Sequence, residues 1–415
     1  MNASPRSALH QSLPSLLALA ATLLAALAVL PGCLGVLKFT YRIAATPAGA
    51  WFMYVGAIPI YIAATIMLAV ALILARRSGV PWLVPGLAAA SYAGVSLFGF
   101  FMHTGFMFRP VAQPDYVTFD AAIARFGPKE PVVGVLDSRG MPYAYVARLA
   151  RRPHIVQQPE GHVPFMMSHC IHANSSMAYA VEPGAPSPRI SISSVIANNL
   201  VFYDHGRHRT VQQIYNCAID GRDQLPILPS VTTTLAAWRS LYPDSRVWVR
   251  PVEWRDTFYV KFLARGSVID PSSPDLVYPL QRPADLRLAL KSSVMGVQFG
   301  PTARAYPAEA LAGARVTEEE IDGQPVVFLA SEDGAFIQLL SRRRPDGQGV
   351  LRFKLAADAR TFLDEETNST WDAAGRCHAG PLRGAQLAAI PHYSRIFWCV
   401  WADFFPHTSV FGQNR

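Results

Sequence analysis

Three long apolar stretches occupy the first quarter of the chain. They run over residues 13–36, 48–74 and 82–108, and none of them contains an acidic side chain. A helix of about 20 apolar residues is long enough to cross the hydrocarbon core of a bilayer. The pattern therefore predicts that residues 1–110 form a membrane region with three transmembrane helices, whose partner is the lipid bilayer.

The first apolar stretch and His103 each allow two interpretations. A cleaved signal peptide has an apolar region of only ~7–15 residues, so we expect the first stretch to remain as a helix. The segment Leu30–Cys33 resembles a lipoprotein cleavage box, although Pro31 fits that box poorly. His103 is an ionisable group well inside the third stretch and is therefore a functional candidate, but we favour a histidine near the interfacial end of its helix.

Charge specifies the orientation of the spans only weakly. The basic residues near the span ends divide evenly between the two sides, with Arg6, Arg76 and Arg77 on one and Lys38, Arg42 and Arg109 on the other. Three spans place the two termini on opposite sides of the membrane. Because a short, weakly charged N-terminus stays readily in the cytoplasm, we expect the large C-terminal part to be extracytoplasmic.

Short β-rich runs follow the membrane region. They are bounded by Gly, Pro, Asp or Ser, as strands commonly are, and lie at residues 132–136, 190–195, 326–330 and 336–340. Two segments, 232–241 and 394–405, are apolar at helical spacing and close before a proline, so each predicts a helix. The predicted fold class is an N-terminal α-helical transmembrane region followed by an α+β module with mostly antiparallel strands.

The same sequence pattern occurs twice after the membrane region. The matched segments are Val132–Val135 with Val294–Val297, Ala144-Tyr145 with Ala305-Tyr306, Phe202–Asp204 with Phe362–Asp364, Cys217 with Cys377, and Trp238–Pro243 with Trp401–Pro406. Self-similarity in one order at nearly constant spacing indicates a duplicated structural unit. We therefore expect two pseudo-repeats, 113–260 and 275–415, joined by the proline-rich stretch 270–283.

Charge and cysteine usage exclude several classes of function. The net charge is +8, but the basic residues form no stripe interleaved with aromatics, so no nucleic-acid partner is expected. Five dispersed cysteines do not form a disulfide framework. Cys217 and Cys377 occupy matching positions, which indicates either a disulfide across the pseudo-twofold or inherited burial. No phosphate-binding loop, dinucleotide fingerprint, lipase elbow or HExxH motif is present, so nucleotide-dependent catalysis is not expected.

His169-Cys170-Ile171-His172 is the densest cluster of metal-ligand residues in the chain. Thiolate and imidazole groups suit copper, zinc or iron, and their softness favours copper or zinc. In an extended segment Cys170 and His172 point to one face and His169 to the other, so the segment offers one pair of ligands. The histidines that could complete a site are His154, His162, His205 and His208.

Two other interpretations of this cluster remain open. Cys170 could be a thiol nucleophile, activated by a neighbouring histidine and held by Asp204. Alternatively, Cys170 is a small buried hydrophobe and the histidines are surface or hydrogen-bonded groups, because a metal site usually has three or four clearly spaced ligands. Asp204 and Asp364 both begin turn-like stretches, where aspartate is favoured by its bonds to the backbone. Trp371 is expected in the core.

The order of these motifs resembles the bacterial domain of unknown function 3179, in two degenerate copies. The segments that carry the resemblance are His154–Val156, Pro164–Ala173, Asn199–Asp204, Ala218–Gly221, and, in the second copy, Thr367, Ser369 and Trp371. The departures from the family pattern are Ala173 for its second cysteine, Val211 for its tryptophan, His205 for its arginine, and Ser331 and Gly334 for the cysteine pair of the second copy. The resemblance implies a membrane-anchored protein without an established activity. One site shared between the halves and decay of one half into scaffold both remain open.

We therefore expect a multi-pass protein of a bacterial inner membrane, with its soluble module in the periplasm acting as a metal-binding or redox accessory module. The candidate metal ligands are Cys170, His172, His154, His169 and His205, with Asp204, Asp364 and Trp371 as further site residues. The alternatives are a thiol-dependent enzyme that uses Cys170 and a structural partner-binding domain. The sequence indicates no particular substrate or protein partner.

Overall fold

The computed structural model describes residues 5–33, 41–158, 163–181 and 189–413. Its α-helices are α1 (Pro5–Val29), α2 (Tyr41–Ala44), α3 (Pro47–Trp51), α4 (Ala57–Arg77), α5 (Leu83–Met102), α6 (Thr104–Met107), α7 (Phe119–Phe126), α8 (Ala147–Ala150), α9 (Leu235–Leu241), α10 (Trp254–Phe258), α11 (Ala308–Ala314) and α12 (Trp398–Phe404). Two π-helical segments extend this set, Phe52–Gly56 between α3 and α4 and Tyr259–Leu263 after α10.

Strands follow the membrane helices over the rest of the chain. The first ten are β1 (Asp115–Val117), β2 (Pro131–Leu136), β3 (Pro142–Val146), β4 (Ile155–Gln157), β5 (Phe165–Cys170), β6 (Ser175–Ala180), β7 (Ile190–Ile196), β8 (Asn199–Asp204), β9 (Arg209–Gln212) and β10 (Cys217–Ala218). The next four are β11 (Ile227–Leu228), β12 (Ser230–Thr234), β13 (Arg246–Val249) and β14 (Ser293–Phe299). The last ten are β15 (Thr302–Pro307), β16 (Val316–Ile321), β17 (Gln324–Ala330), β18 (Ile337–Ser341), β19 (Phe353–Leu355), β20 (Phe362–Asp364), β21 (Thr370–Trp371), β22 (Cys377–Ala379), β23 (Tyr393–Phe397) and β24 (Ser409–Val410).

The chain divides into two compact units. The first unit comprises Met1–Arg109, Pro188–Ile196 and Leu200–Asp223. The second unit comprises Pro110–Ser187, Ala197–Asn199 and Gln224–Arg415. The sheet of β7 to β10 thus belongs, apart from the first residue of β8, with the membrane helices. The sequence boundaries at 1–110, 113–260 and 275–415 stay a prediction.

Among its described residues, the first unit contains three helices that are long and apolar enough to cross a membrane. They are Ser12–Gly32, Pro47–Arg77 and Leu83–Met102. The third is shorter than predicted, because the backbone turns to an extended conformation at His103, whose Nδ1 accepts a hydrogen bond from the Gly105 N–H. His103 therefore caps the short helix α6 and lies beyond the third span, not well inside it.

The second unit is an α+β assembly in which the strand pairs are mostly antiparallel. Its first large sheet has the order β1-β13-β3-β2-β12, and a corresponding sheet later in the chain has the order β23-β14-β15-β24. Only the β13–β3 and β15–β24 pairs, among the strand pairs described, are parallel. The remaining sheets of this unit are β11-β6-β5-β4, β16-β17-β18 and β19-β20-β21-β22.

In each of these two corresponding sheets, a buried tryptophan packs directly against a glycine. A Cβ atom at Gly134 would meet the Trp238 ring at 2.3 Å, and one at Gly296 would meet the Trp401 ring at 2.4 Å. The indole N–H of Trp238 donates to the Ser245 hydroxyl at 2.9 Å. Trp401 makes the same bond, also of 2.9 Å, to the hydroxyl of Thr408.

The proline-rich stretch 270–283 divides the second unit into two halves, and both contribute to one hydrophobic core. Val133 and Trp238 of the first half belong to the same buried cluster as Leu329 and Trp371 of the second. Packing the strand faces against such a cluster removes their apolar area from water, and this burial is the main favourable term in folding. The second unit is therefore one body whose stability is shared by both halves.

Candidate functional site

The residues predicted as metal ligands lie around one end of β5 in the second unit. His169 and Cys170 close β5, which is buried along its whole length between β4 and β6. The strand ends at Cys170, and residues 171–174 form a turn, so the extended geometry assumed for His172 does not continue past Cys170. His154 follows α8. All four side chains are buried.

Two of these histidines are occupied in hydrogen bonds that hold the strands together. His154 has a positive φ of 74°, and its Nδ1 donates to the backbone carbonyl of His169 at 2.9 Å. The His169 N–H in turn donates to the carbonyl of His154 at 2.7 Å. His169 Nδ1 pairs with the Ser176 hydroxyl at 2.9 Å. These contacts fix the start of β4 against the end of β5.

His172 is placed differently, between two tyrosines. Its Nε2 lies 3.2 Å from the Tyr259 hydroxyl, and its ring meets that of Tyr278 edge-on at 5.5 Å. His172 Nδ1 is buried and has no hydrogen-bond partner among the described residues. A buried polar atom left without a partner costs roughly 1–3 kcal/mol, so such atoms in native proteins call for a specific explanation.

Cys170 is fully buried and lies next to a loop residue of left-handed conformation. Its thiol donates to the carbonyl of Asn198 at 3.5 Å, and Asn198 has φ of 63°. The Asn198 side chain bonds both the N–H and the carbonyl of Tyr278, at 3.0 and 2.8 Å. Asn198 therefore connects the thiol to one of the two tyrosines beside His172.

Burial dominates the electrostatics of this cluster. Removal from water lowers the pKa of His154 to about 4 and the pKa values of His169 and His172 to about 3. Burial also raises the pKa of Tyr259 well above its usual range, with smaller contributions from Tyr278 and Cys170. All three imidazoles are therefore neutral at pH 7. A thiolate–imidazolium pair of the kind that activates cysteine nucleophiles is disfavoured here.

The predicted site residues Asp204 and His205 do not lie in this cluster. Asp204 and His205 belong to the first unit. Asp204 accepts the N–H groups of Gly206 and Arg207 and pairs with Arg209. His205 Nε2 lies 3.0 Å from the Ser191 hydroxyl. Asp204 thus organises its own turn, as its position in the sequence indicated. His162 lies outside the described residues.

Asp364 and Trp371 form a buried structural pair in the second unit. One carboxylate oxygen of Asp364 accepts the indole N–H of Trp371 at 2.8 Å and the N–H of Ser369 at 3.2 Å. The Thr367 hydroxyl donates to the same oxygen at 2.9 Å. Both Asp364 and Trp371 are completely buried. Trp371 is therefore a core residue, as expected.

The described residues contain no group of three or more His, Cys, Asp or Glu side chains placed to hold a metal ion. The metal assignment therefore stays a prediction. All five cysteines are buried free thiols. The disulfide considered for Cys217 and Cys377 is therefore not formed.

A separate open cavity of about 560 Å³ also lies in the second unit. It is bordered by the hairpin residues Leu136 to Pro142, by Tyr242 and by Arg376. The Arg376 guanidinium is already engaged by Asp372 at 2.9 Å. Because the described lining contains neither cysteine nor histidine, this cavity offers none of the chemistry of the Cys170 cluster.

Three residues of the cluster could not be found from the sequence. Asn198 and Tyr278 come from loops and Tyr259 from the π-helical segment after α10. All three are far from Cys170 along the chain, and none belongs to a ligand motif. Only the positive φ of Asn198 has a residue-type signal, since asparagine tolerates the left-handed region better than most residues.

Comparison with known proteins places the chain in a family. No curated protein and no solved structure matches it significantly. One family profile, described as "Protein of unknown function (DUF3179)", matches residues 109–408 as a single stretch. That stretch begins just after the membrane helices and includes both halves of the second unit. Because the match covers most of its length, the chain belongs to the DUF3179 family of proteins of unknown function.

Proposed function

We propose that this protein is a membrane-anchored binding module that holds one soft metal ion between Cys170 and His172. The observation that carries the proposal is the His172 imidazole, which is neutral, buried and bonded on one nitrogen only. Metal-ligating histidines usually donate their second N–H to an oxygen that fixes the ring and its tautomer. The Tyr259 hydroxyl, 3.2 Å from Nε2, supplies that oxygen and leaves Nδ1 as the ligand atom.

The chemistry of the pair favours copper(I), with zinc as the second choice. Thiolate ligands select soft ions, and neutral imidazole suits both metals. A closed structural zinc site normally requires four protein ligands, and the described residues supply no group of even three. Copper(I) accepts fewer ligands than zinc, so a thiolate and an imidazole can hold it. Binding would replace the Cys170 proton, which the thiol otherwise donates to Asn198.

Elemental analysis of the full chain in lipid nanodiscs tests this proposal. The protein is loaded with copper(I) under reducing, oxygen-free conditions, desalted and analysed, and a second sample is treated with zinc. We expect about one equivalent of retained copper, lost in Cys170→Ser and in His172→Gln. Tyr259→Phe should lower the affinity by roughly 10- to 100-fold, because it removes the group that orients the ligand.

The matched control is Cys399→Ser, which replaces another buried thiol of the second unit. That variant should retain the metal of the unmodified protein. If the unmodified protein retains no metal, or if Cys170→Ser retains as much, the metal proposal fails. A thiol enzyme is the weaker alternative, because the imidazoles beside Cys170 are held neutral.

We further propose that the two halves of the second unit arose by tandem duplication. The strand order β12-β2-β3-β13 and the order β23-β14-β15-β24 are the same, with the same antiparallel and parallel pairs. The matched tryptophan bonds to Ser245 and Thr408 also support this interpretation. Ser245→Ala and Thr408→Val should therefore destabilise the protein by similar amounts, about 1 kcal/mol each, and unequal losses would weaken the argument.

We also propose that the second unit faces the periplasm of a bacterial inner membrane. The support is the odd number of candidate spans among the described residues, which places the segment before the first span and the second unit on opposite sides of the membrane. Reporter fusions at the C-terminus test this orientation. Alkaline phosphatase should be active there and green fluorescent protein should not fluoresce, and the reverse pair of results would place the module in the cytoplasm.

A further inference from the structure

A row of three aromatic side chains, of which the first and last are exposed and the middle one is half-buried, lies on the helix that carries Tyr259. α10 and its π-helical continuation run without interruption from Trp254 to Leu263. Trp254, Phe258 and Phe262 follow one another at a spacing of four residues, and their rings are in contact, with centroids 6.2 and 5.3 Å apart. Trp254 is 57% exposed and Phe262 63% exposed. The preceding Val252 is 62% exposed.

The aromatic row differs from the other exposed hydrophobic side chains of the second unit because its members are contiguous. The other exposed large hydrophobic side chains of the second unit, in the part of the chain that is described, are scattered singly: Met141, Leu286, Val350 and Leu355. Single exposed hydrophobic residues are normal on protein surfaces, whereas a contiguous patch marks a binding surface. A patch of three contacting rings within one helix therefore calls for a partner.

Basic side chains lie beside the aromatic row. Lys261 and Arg265 are exposed, and neither has an ion-pair partner among the residues that the structure describes. The Lys261 ammonium lies 5.8 Å from the centre of the Phe262 ring. By contrast, Arg255 is paired with Glu253. The free charge beside the aromatic row is therefore positive.

The opposite face of the helix is fixed to the protein. Tyr259 is buried and contacts His172 through its hydroxyl. Asp256 pairs with Arg152 and Arg250 at 2.6 Å each. These contacts hold the helix in place, so the aromatic row cannot turn inward without breaking buried ion pairs.

We infer that the face formed by Trp254, Phe258 and Phe262 lies in the headgroup region of an anionic bilayer. A helix with Trp and Phe on one face and Lys or Arg beside them is typical of segments that lie in the membrane interface. The aliphatic parts of lysine and arginine side chains pack along the apolar face, while their charged ends contact the lipid phosphates. The chain itself provides the bilayer, because three of its helices are candidate membrane spans. A covalently tethered surface meets the lipid at high effective concentration.

Labelling at a single engineered cysteine tests this inference in the full chain. All five native cysteines are buried, so Phe262→Cys can be modified selectively with a nitrobenzoxadiazole fluorophore. The control is Gln348→Cys, at an exposed position in the same unit. Both proteins are placed in nanodiscs that contain phosphatidylglycerol, with or without lipids that carry a quenching nitroxide on the acyl chain.

The fluorophore at position 262 should emit at shorter wavelength than that at position 348. Its quenching by the nitroxide lipids should exceed that of the control by roughly threefold or more. The double variant Lys261→Glu/Arg265→Glu should reduce that quenching, most clearly at low salt. Equal, weak quenching at both positions would overturn the inference. A blue shift without lipid quenching would also overturn it, and would indicate that a second copy of the chain covers this face. Neither result depends on metal binding at Cys170.

Discussion

Acidification should destabilise the second unit through its buried neutral histidines. Burial lowers the pKa of His154 and His392 to about 4 and that of His169 and His172 to about 3. An unfolded histidine has a pKa of about 6.5, so between this value and the folded pKa the unfolded chain binds more protons. Stability is therefore fully present above about pH 6.5 and is lost as the pH falls toward 4.

The expected loss follows from the linkage relation. One histidine changes the free energy of unfolding by at most about 1.4 kcal/mol per pH unit. Integrated from pH 7.5 to 5.5, a window in which an unfolded histidine takes up most of its proton while the folded one stays neutral, the loss is about 1.3 kcal/mol for each group. Four independent histidines therefore lose about 5 kcal/mol together, a large fraction of the stability of a typical domain.

Urea denaturation of the full chain in nanodiscs measures this loss. The fluorescence of the buried tryptophans reports on the second unit, which contains Trp238, Trp248, Trp371, Trp398 and Trp401. His172→Phe should reduce the pH dependence by about a quarter, because it removes one of four proton-binding groups. His407→Gln, at an exposed position, is the matched control. A denaturation midpoint that does not change between pH 7.5 and 5.5 would refute the reasoning.

Three further substitutions test the packing of the second unit by thermal denaturation. Gly134→Ala should cost about 1–3 kcal/mol, because the new methyl group would meet the Trp238 ring at 2.3 Å. Gly313→Ala is its counterpart within a helix, where no atom beyond the local helix backbone lies within 4 Å of the added Cβ, and should stabilise by roughly 0.5–1 kcal/mol. A lower melting temperature for Gly313→Ala would contradict this expectation. Asp364→Ala should cost roughly 3 kcal/mol or more, because it removes the charged acceptor of the Trp371 indole and leaves that group buried. Unchanged melting of that variant would exclude the structural role given to Asp364.

Local properties of the sequence predict much of the fold. The prediction of the spans depends on apolar length alone, and the described part of the chain contains three helices of sufficient length. The third prediction extended too far, because the residues after Met102 are still apolar while the backbone at His103 is already extended. The sheet to which a strand belongs depends on contacts distant in sequence. The hydrophobic periodicity of the sequence therefore could not predict that β7 to β10 group with the membrane helices.

The sequence also located the buried cluster, but not its organisation. Cys170, His169 and His172 are neighbours in the chain, and the resemblance placed His154 before the same strands. Whether an imidazole binds a ligand or a backbone carbonyl depends on the orientation of its ring, which spacing does not show. The Tyr259 hydroxyl, 87 residues from His172, is the contact that distinguishes His172 from the other two.

The proposed duplication allows the structural and chemical roles in this cluster to be separated. In the second half, Arg315 follows α11 with φ of 65°, as His154 follows α8. Its N–H donates to Leu311 four residues back, and its Nε donates to the carbonyl of Ala330 at 3.0 Å. The backbone N–H of Ala330 donates to the carbonyl of Arg315, as the backbone N–H of His169 donates to the carbonyl of His154. Any long side chain with a suitable N–H can therefore perform the structural task of His154.

The halves also differ at the positions of Cys170 and His172. By chain spacing these correspond to Ser331 and Asp333, whose side chains bond each other at 2.6 Å in a partly exposed turn. A solvated serine–aspartate turn satisfies its own polar groups, whereas the buried His172 leaves Nδ1 without a partner in the described chain. An unsatisfied buried nitrogen has a free-energy cost, and the corresponding Asp333 side chain avoids it, because it is exposed and bonded to Ser331. From this difference between the halves we infer that Cys170 and His172 are the candidate ligands. His154 and His169 then have a structural role beside them.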